Sequence, residues 1–173
     1  MERPAPSVLV VMGVSGSGKT TIAALLAGRL GWEFEDGDDF HPAANVEKMR
    51  GGTALTDADR WPWLGAIAAW IDATRGAGLH GIVACSALRR AYRDILVGAR
   101  ADVRLVYLQG DRGLIAARQA ARVNHYMPAS LVDSQFAALE EPGADEAPIT
   151  VSVAPSPQEV VAELMTRLRG LGV

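Results

Sequence analysis

The stretch Gly13-Val14-Ser15-Gly16-Ser17-Gly18-Lys19-Thr20 constrains this chain more than any other. It follows the apolar run SVLVVM and opens the mostly apolar TIAALLAGRL, so a glycine-rich turn joins a strand to a helix spanning about Lys19 to Leu30. The spacing is G-x-x-x-x-G-K-[ST], the pattern of a loop that cradles phosphate groups. Glycines let successive amides turn inward, the helix N-terminus adds its dipole, and a lysine supplies a point charge for the outer phosphates. Gly13, Ser15, Gly16, Ser17, Gly18, Lys19, Thr20 and Thr21 are therefore candidate nucleotide-binding residues, with the Thr20 hydroxyl suited to Mg²⁺.

Beyond the loop, strand-like runs alternate with helical stretches. The strands are SVLVVMG, WEFED, LHGIVACS, VRLVYLQ and ITVSV. Thr56 to Asp59 reads as a helix start with Pro62 in the first turn, continuing through WLGAIAAWIDATR to a stop at GAG. A further helix is expected over ALRRAYRDILVG, one long helical region over RGLIAARQAARVNHYMPASLVDSQFAALE, and a last helix over EVVAELMTRLRG, while GDDFHPAANVEKMRGG reads as a polar segment. This alternation implies an α/β fold with a parallel sheet covered on both faces. A length of 173 residues suits one domain. With 17 basic and 20 acidic residues and no basic tract, the chain lacks the footprint of a nucleic-acid binder. Cys85 stands alone, MERPAPS lacks the features of a signal peptide, and the apolar runs are strand-sized, so a cytoplasmic protein with no disulfide and no membrane partner is expected.

Phosphate loops serve kinases, GTPases, ATPases and passive modules alike. The guanine-reading N-K-x-D is absent, since Lys19 and Lys48 are the only lysines. The third strand ends in Cys85 and Ser86 rather than in an acid, so a metal needs its carboxylate elsewhere. EDGDDFHP supplies one, at the carboxyl end of the second strand, where sheets of this kind place ligands. Asp36 and Asp38 are two residues apart, on the same side of an extended segment. One can hold a metal-bound water while the other orients or deprotonates an acceptor hydroxyl. Arg118 and Arg122, four apart, share one helix face and can reach the same phosphates.

Six motifs in order, GVSGSGKT, DGDDFHP, NVEKM, LTDADRWPWL, CSALRRAYRD and QFAALEEP, resemble the gluconate kinase (gluconokinase) family from about Val8 to Glu146. The resemblance implies a three-layer αβα P-loop kinase fold with a five-stranded parallel sheet, in a single domain over 1–173 with a helical lid at about 112–138. It implies ATP and Mg²⁺, transfer of the γ-phosphoryl group to the 6-hydroxyl of D-gluconate, and a homodimer. Residue by residue, it makes Asp38 the general base at the sugar acid and sets Asp36 nearer the metal. It makes Lys19 and Arg122 catalytic, and Arg118 and Arg122 ATP-binding lid residues. His41, Lys48, Arg60, Ser86, Arg90 and His125 fall on the substrate side, and Pro155, in APSPQ, where relatives cradle adenine. The chain departs from the family pattern at Asn124, where glycine is common, and at Tyr126, where phenylalanine is common. Cys85, Trp61, Trp63 and Trp70 are expected to pack, and Arg89 to be solvated. Two other readings stand beside this one: a P-loop kinase for another small acceptor such as shikimate or a nucleotide, and a catalytically silent nucleotide-binding module.

Overall fold

A computed structural model describes residues 3–121 and 129–173. Five strands, β1 (Val8–Met12), β2 (Glu33–Asp36), β3 (Gly81–Ala84), β4 (Val103–Gln109) and β5 (Ile149–Ser152), form one parallel sheet in the order β2-β3-β1-β4-β5. β1 lies at the centre with no side chain exposed. Its alternate residues serve two cores: Leu9 and Val11 pack on one face, Val8, Val10 and Met12 on the other. Each such side chain contributes about 1.5–3 kcal/mol on burial, which explains why β1 reads as an unbroken apolar run.

Seven α-helices stand among the described residues: α1 (Lys19–Leu30), α2 (Ala43–Arg50), α3 (Asp57–Gly76), α4 (Arg90–Leu96), α5 (Arg112–Ala120), α6 (Ala129–Ala138) and α7 (Pro157–Arg169). α1 and α7 cover one face through Ile22, Leu26, Val160 and Leu164; α3 and α4 cover the other through Leu64, Ile67, Ile71 and Leu96. The expected three-layer α/β architecture is therefore present. None of these helices is long and apolar enough to cross a membrane.

Three local differences from the sequence reading have physical causes. GDDFHPAANVEKMRGG contains a 3-10 turn (Gly37–Phe40) and α2, whose only buried residue is Asn45, so no apolar stripe announces the helix. Pro62 lies in the second turn of α3, because the Thr56–Asp59 capping box starts the helix at Asp57. α4 begins at Arg90 rather than Ala87, because Ala87 sits at φ 46°, a left-handed turn that no α-helix admits. The single long helical region is seen as α5 and α6, on either side of residues 122–128.

Candidate active site

The strand order decides which loops meet. Because β3 lies between β2 and β1, the segments leaving the carboxyl ends of all three share one rim, with Asp36 and Val11 both in register with Ala84. A cleft of roughly 440 Å³ opens there, lined by Ser15, Lys19, Thr20, Asp36, Asp38, Ser86 and Gln135 among others. On the β4–β5 side a second pocket of roughly 240 Å³ is lined by Thr21, Arg118, Gln119, Val153, Pro155 and Pro157. Gly16, Gly18 and Thr21 line both.

The glycine-rich loop forms as its sequence requires. Gly16 (φ 87°) and Gly18 (φ 88°) are left-handed, a conformation strained for other residues, and Gly18 caps α1. A Cβ on Gly16 would also come within 2.3 Å of the Gln119 side-chain nitrogen, so that side chain would have to move. Lys19 Nζ donates to the Val14 carbonyl at 3.1 Å across the turn. Two buried polar atoms beside the loop, Ser17 Oγ and Gln119 Nε2, have no hydrogen-bond partner among the described residues. Buried polar groups are normally satisfied, and a polar ligand in the loop would offer partners at this place.

Asp36 and Asp38 stand in different surroundings. Asp36 Oδ2 accepts from the Thr20 hydroxyl at 3.1 Å and its Oδ1 accepts from the Asp38 amide at 2.9 Å. Thr20 and Asp36 are thus already paired, a hydroxyl and a carboxylate of the hard-oxygen kind that Mg²⁺ favours. Among the described residues no group of three or more His, Cys, Asp or Glu side chains gathers to hold a metal. Asp38 extends into the cleft, its side chain 86% exposed. Its pKa is nonetheless raised above the ordinary carboxylate value, first by the desolvating bulk of the cleft and then by the neighbouring Asp36 charge.

His41 lies behind Asp38. It is buried, stacked on Trp63 at 4.2 Å, and its Nε2 stands 4.0 Å from Asp38 Oδ1. Asn45 Nδ2 donates to the Asp59 carbonyl and faces His41 Nδ1 at 3.3 Å, which makes Nδ1 an acceptor and leaves the ring proton on Nε2, toward Asp38. Burial lowers the His41 pKa, so the ring is neutral near pH 7. His41 thus stands behind Asp38 with its ring N–H toward that carboxylate. Gly37 closes the arrangement: its carbonyl accepts from Trp63 Nε1 at 2.7 Å, and a Cβ on it would meet the Ala84 carbonyl at 2.4 Å.

The remaining expected substrate-side residues divide. Ser86 lines the cleft, and its carbonyl accepts from the Gly13 amide at 3.4 Å. Lys48 Nζ donates to both oxygens of Asp59, at 3.0 and 2.8 Å, fastening α2 to the start of α3 and holding Asp59 down to a pKa of about 2. Arg60 bonds Asp57 and the Tyr92 hydroxyl, each at 3.3 Å, and is absent from the cleft lining. Arg90 turns away to pair with Asp145. Arg118 donates to the Ala154 carbonyl at 3.4 Å and lines the β4–β5 pocket together with Gly16, Ser17 and Gly18 of the loop. Cys85 is buried with its thiol pushed up to about 12, an inert packing residue. Trp61 is 41% exposed, edge-on to Tyr92, so it is not the packing residue expected. Arg122, Asn124, His125 and Tyr126 lie outside the described residues.

Three contributors were not singled out from sequence. Gln119 and Gln135 are neutral side chains that reach the loop from α5 and α6. The third, Arg93, is 1% exposed and makes a two-pronged pair with Glu146 at 2.7 and 3.2 Å, while Nη1 donates to the Ala87 and Leu88 carbonyls. It therefore pins the left-handed turn that follows Ser86. Arg93→Met leaves the Glu146 carboxylate with only the Gly143 amide and the Arg90 guanidinium 3.9 Å away, strips the Ala87 and Leu88 carbonyls of their donor, and should cost about 3 kcal/mol of stability. Urea unfolding measures this, and an unchanged midpoint would mean that the turn holds itself.

Comparison with known proteins follows the same lines. The AAA domain family matches residues 8–142. A gluconokinase of Gluconobacter oxydans is 50% identical over 160 residues, covering 92% of this chain and 90% of that protein. The crystal structure of a gluconokinase from Sinorhizobium meliloti superposes with a TM-score of 0.84 at 40% identity, over 98% of this chain and 95% of that one. Shikimate kinase from Aquifex aeolicus shares the fold at 16% identity, with a TM-score of 0.57 over 94% and 96% of the two chains.

Proposed function

The chain belongs to the gluconokinase family, and from that premise we propose that it moves the terminal phosphoryl group of ATP to the 6-hydroxyl of D-gluconate. One observation carries the reading: a phosphate-cradling loop with Lys19 faces a projecting carboxylate, Asp38, across a single cleft. The base of ATP takes the pocket between Arg118 and Pro155, and the phosphates run along the loop toward Ser15. Mg²⁺ would be held by Thr20 and Asp36, where it supplies charge neutralisation for the phosphates. Asp38, kept in place by the neutral His41, accepts the proton of the sugar hydroxyl as its oxygen bonds to phosphorus and the bond to the ADP oxygen breaks. Lys19 offsets the charge that gathers on the leaving phosphate.

The same reading takes the chain as a single kinase domain and the stretch 112–138, with α5 and α6, as a lid bringing Arg122 to the phosphates. Homodimerisation and a cytoplasmic location rest on the family resemblance. Ser86 is retained on the acceptor side, whereas Lys48, Arg60 and Arg90 act through the packing of the surrounding elements. Coupled measurement of ADP tests the assignment: release should require both gluconate and Mg²⁺ and stay near background with shikimate, AMP or no acceptor. Equal rates across that panel would refute gluconate as the substrate.

A further inference from the structure

Gln135 lies on α6, 120 residues from the phosphate loop in sequence, yet its Oε1 accepts from the Ser15 amide at 3.0 Å. The helix is anchored to bring it there. Val132 is buried in the core with Phe136 and Leu139 packed beside it, and Asp133 pairs with Arg112 of α5. Just beyond the helix, the Glu140 carboxylate accepts from the Arg90 amide at 2.9 Å and the Glu140 amide donates to the Leu88 carbonyl at 2.8 Å. In this structure Gln135 is therefore a side chain aimed at the loop from a helix held against the core.

The end of the loop that it touches matters. Gly16 and Gly18 line both pockets, but Ser15 lines only the cleft that holds Lys19, Asp36 and Asp38. Ser15 thus marks the end farther from the base, where the terminal phosphate arrives. A carboxamide oxygen on that amide occupies the place of a phosphate oxygen. When a triphosphate takes the Ser15 N–H, two acceptors oppose each other. A half-turn of the amide about its last bond resolves this, because it presents Nε2 as a donor where Oε1 had been an acceptor.

We propose that Gln135 contacts the transferred phosphoryl group in this way: it satisfies the Ser15 amide in the empty enzyme and donates to the terminal phosphate once the triphosphate binds. The proposal rests on the reading of the cleft as an ATP phosphoryl-transfer site. It requires an isosteric side chain that can both accept and donate, which glutamine is and glutamate near neutral pH is not.

Gln135→Glu keeps the bond to Ser15 and should melt as the wild type does, while setting a like charge against the terminal phosphate. Calorimetry with a non-hydrolysable ATP analogue and with ADP should show at least a tenfold loss for the triphosphate and no more than about a threefold change for the diphosphate. Gln135→Met, neutral and of similar length, should lose about tenfold in kcat with the gluconate KM unchanged. Equal losses for the two nucleotides, a change confined to the gluconate KM, or wild-type turnover in both variants would overturn the proposal. The nucleotide-binding comparison needs no acceptor, so it tests Gln135 in the same way whether or not gluconate proves to be the substrate.

Discussion

Asp38→Asn is expected to fold and to bind ATP as the wild type does, and to lose roughly two to four orders of magnitude in kcat, the range typical of a positioned acid or base. Asparagine keeps the shape and can still face the His41 Nε2–H, but it cannot take a proton. The raised pKa adds a second signature. A carboxylate must be ionised to act as base, so the wild-type rate should fall as the pH drops through the Asp38 pKa, above the usual carboxylate value, and the residual rate of Asp38→Asn should lack that limb. The two measurements belong on one preparation, with calorimetry for ATP and the coupled assay for turnover. Retained turnover removes Asp38 from catalysis, and lost ATP binding moves it to the metal with Asp36.

Lys19→Ala should reduce kcat by about three orders of magnitude and weaken ATP binding, on the scale of removing one strong donor from a developing anion. Two roles end together in that variant. The ammonium is the loop's own cation for the outer phosphates, and its bond to the Val14 carbonyl spans the turn that aims the amides. Circular dichroism should still report a folded α/β protein, because the sheet and both cores lie elsewhere. Near-normal turnover in Lys19→Ala would leave the loop without a catalytic part.

What could be read from the sequence was what lies close along it. The strand-loop-helix around Lys19 and the Asp36/Asp38 pair each depend on a few neighbouring residues, and the β1, β3 and β4 runs are apolar because both their faces are covered. The helix α2 escaped notice because polar partners rather than an apolar stripe hold it: Asn45 to the Asp59 carbonyl, Lys48 to the Asp59 carboxylate. Arg90 and Lys48 carry the right charge for an anionic substrate, but their partners, Asp145 and Asp59, lie 55 and 11 residues away, and nothing local announces such a pairing. Gln119 lies in none of the six motifs, and Gln135 heads QFAALEEP without that motif assigning it a role, for the same reason in sharper form. A neutral amide acquires meaning only from the backbone it approaches, and that approach is a product of the tertiary fold.

The two pockets have a common wall in Gly16, Gly18 and Thr21, all on one short loop and the helix it opens. The separation between the two pockets is therefore set by covalent backbone, and on the proposed reading the loop would act as a gauge for a polyphosphate laid along it. On the proposed placement of ATP, a diphosphate seated by its base would stop short of Ser15 and a triphosphate would reach it. One ligand tethering adenosine to a sugar acid through a linker would be measured by the same gauge. Its affinity should peak at one linker length and fall away on both sides, as a rigid span between two sites demands.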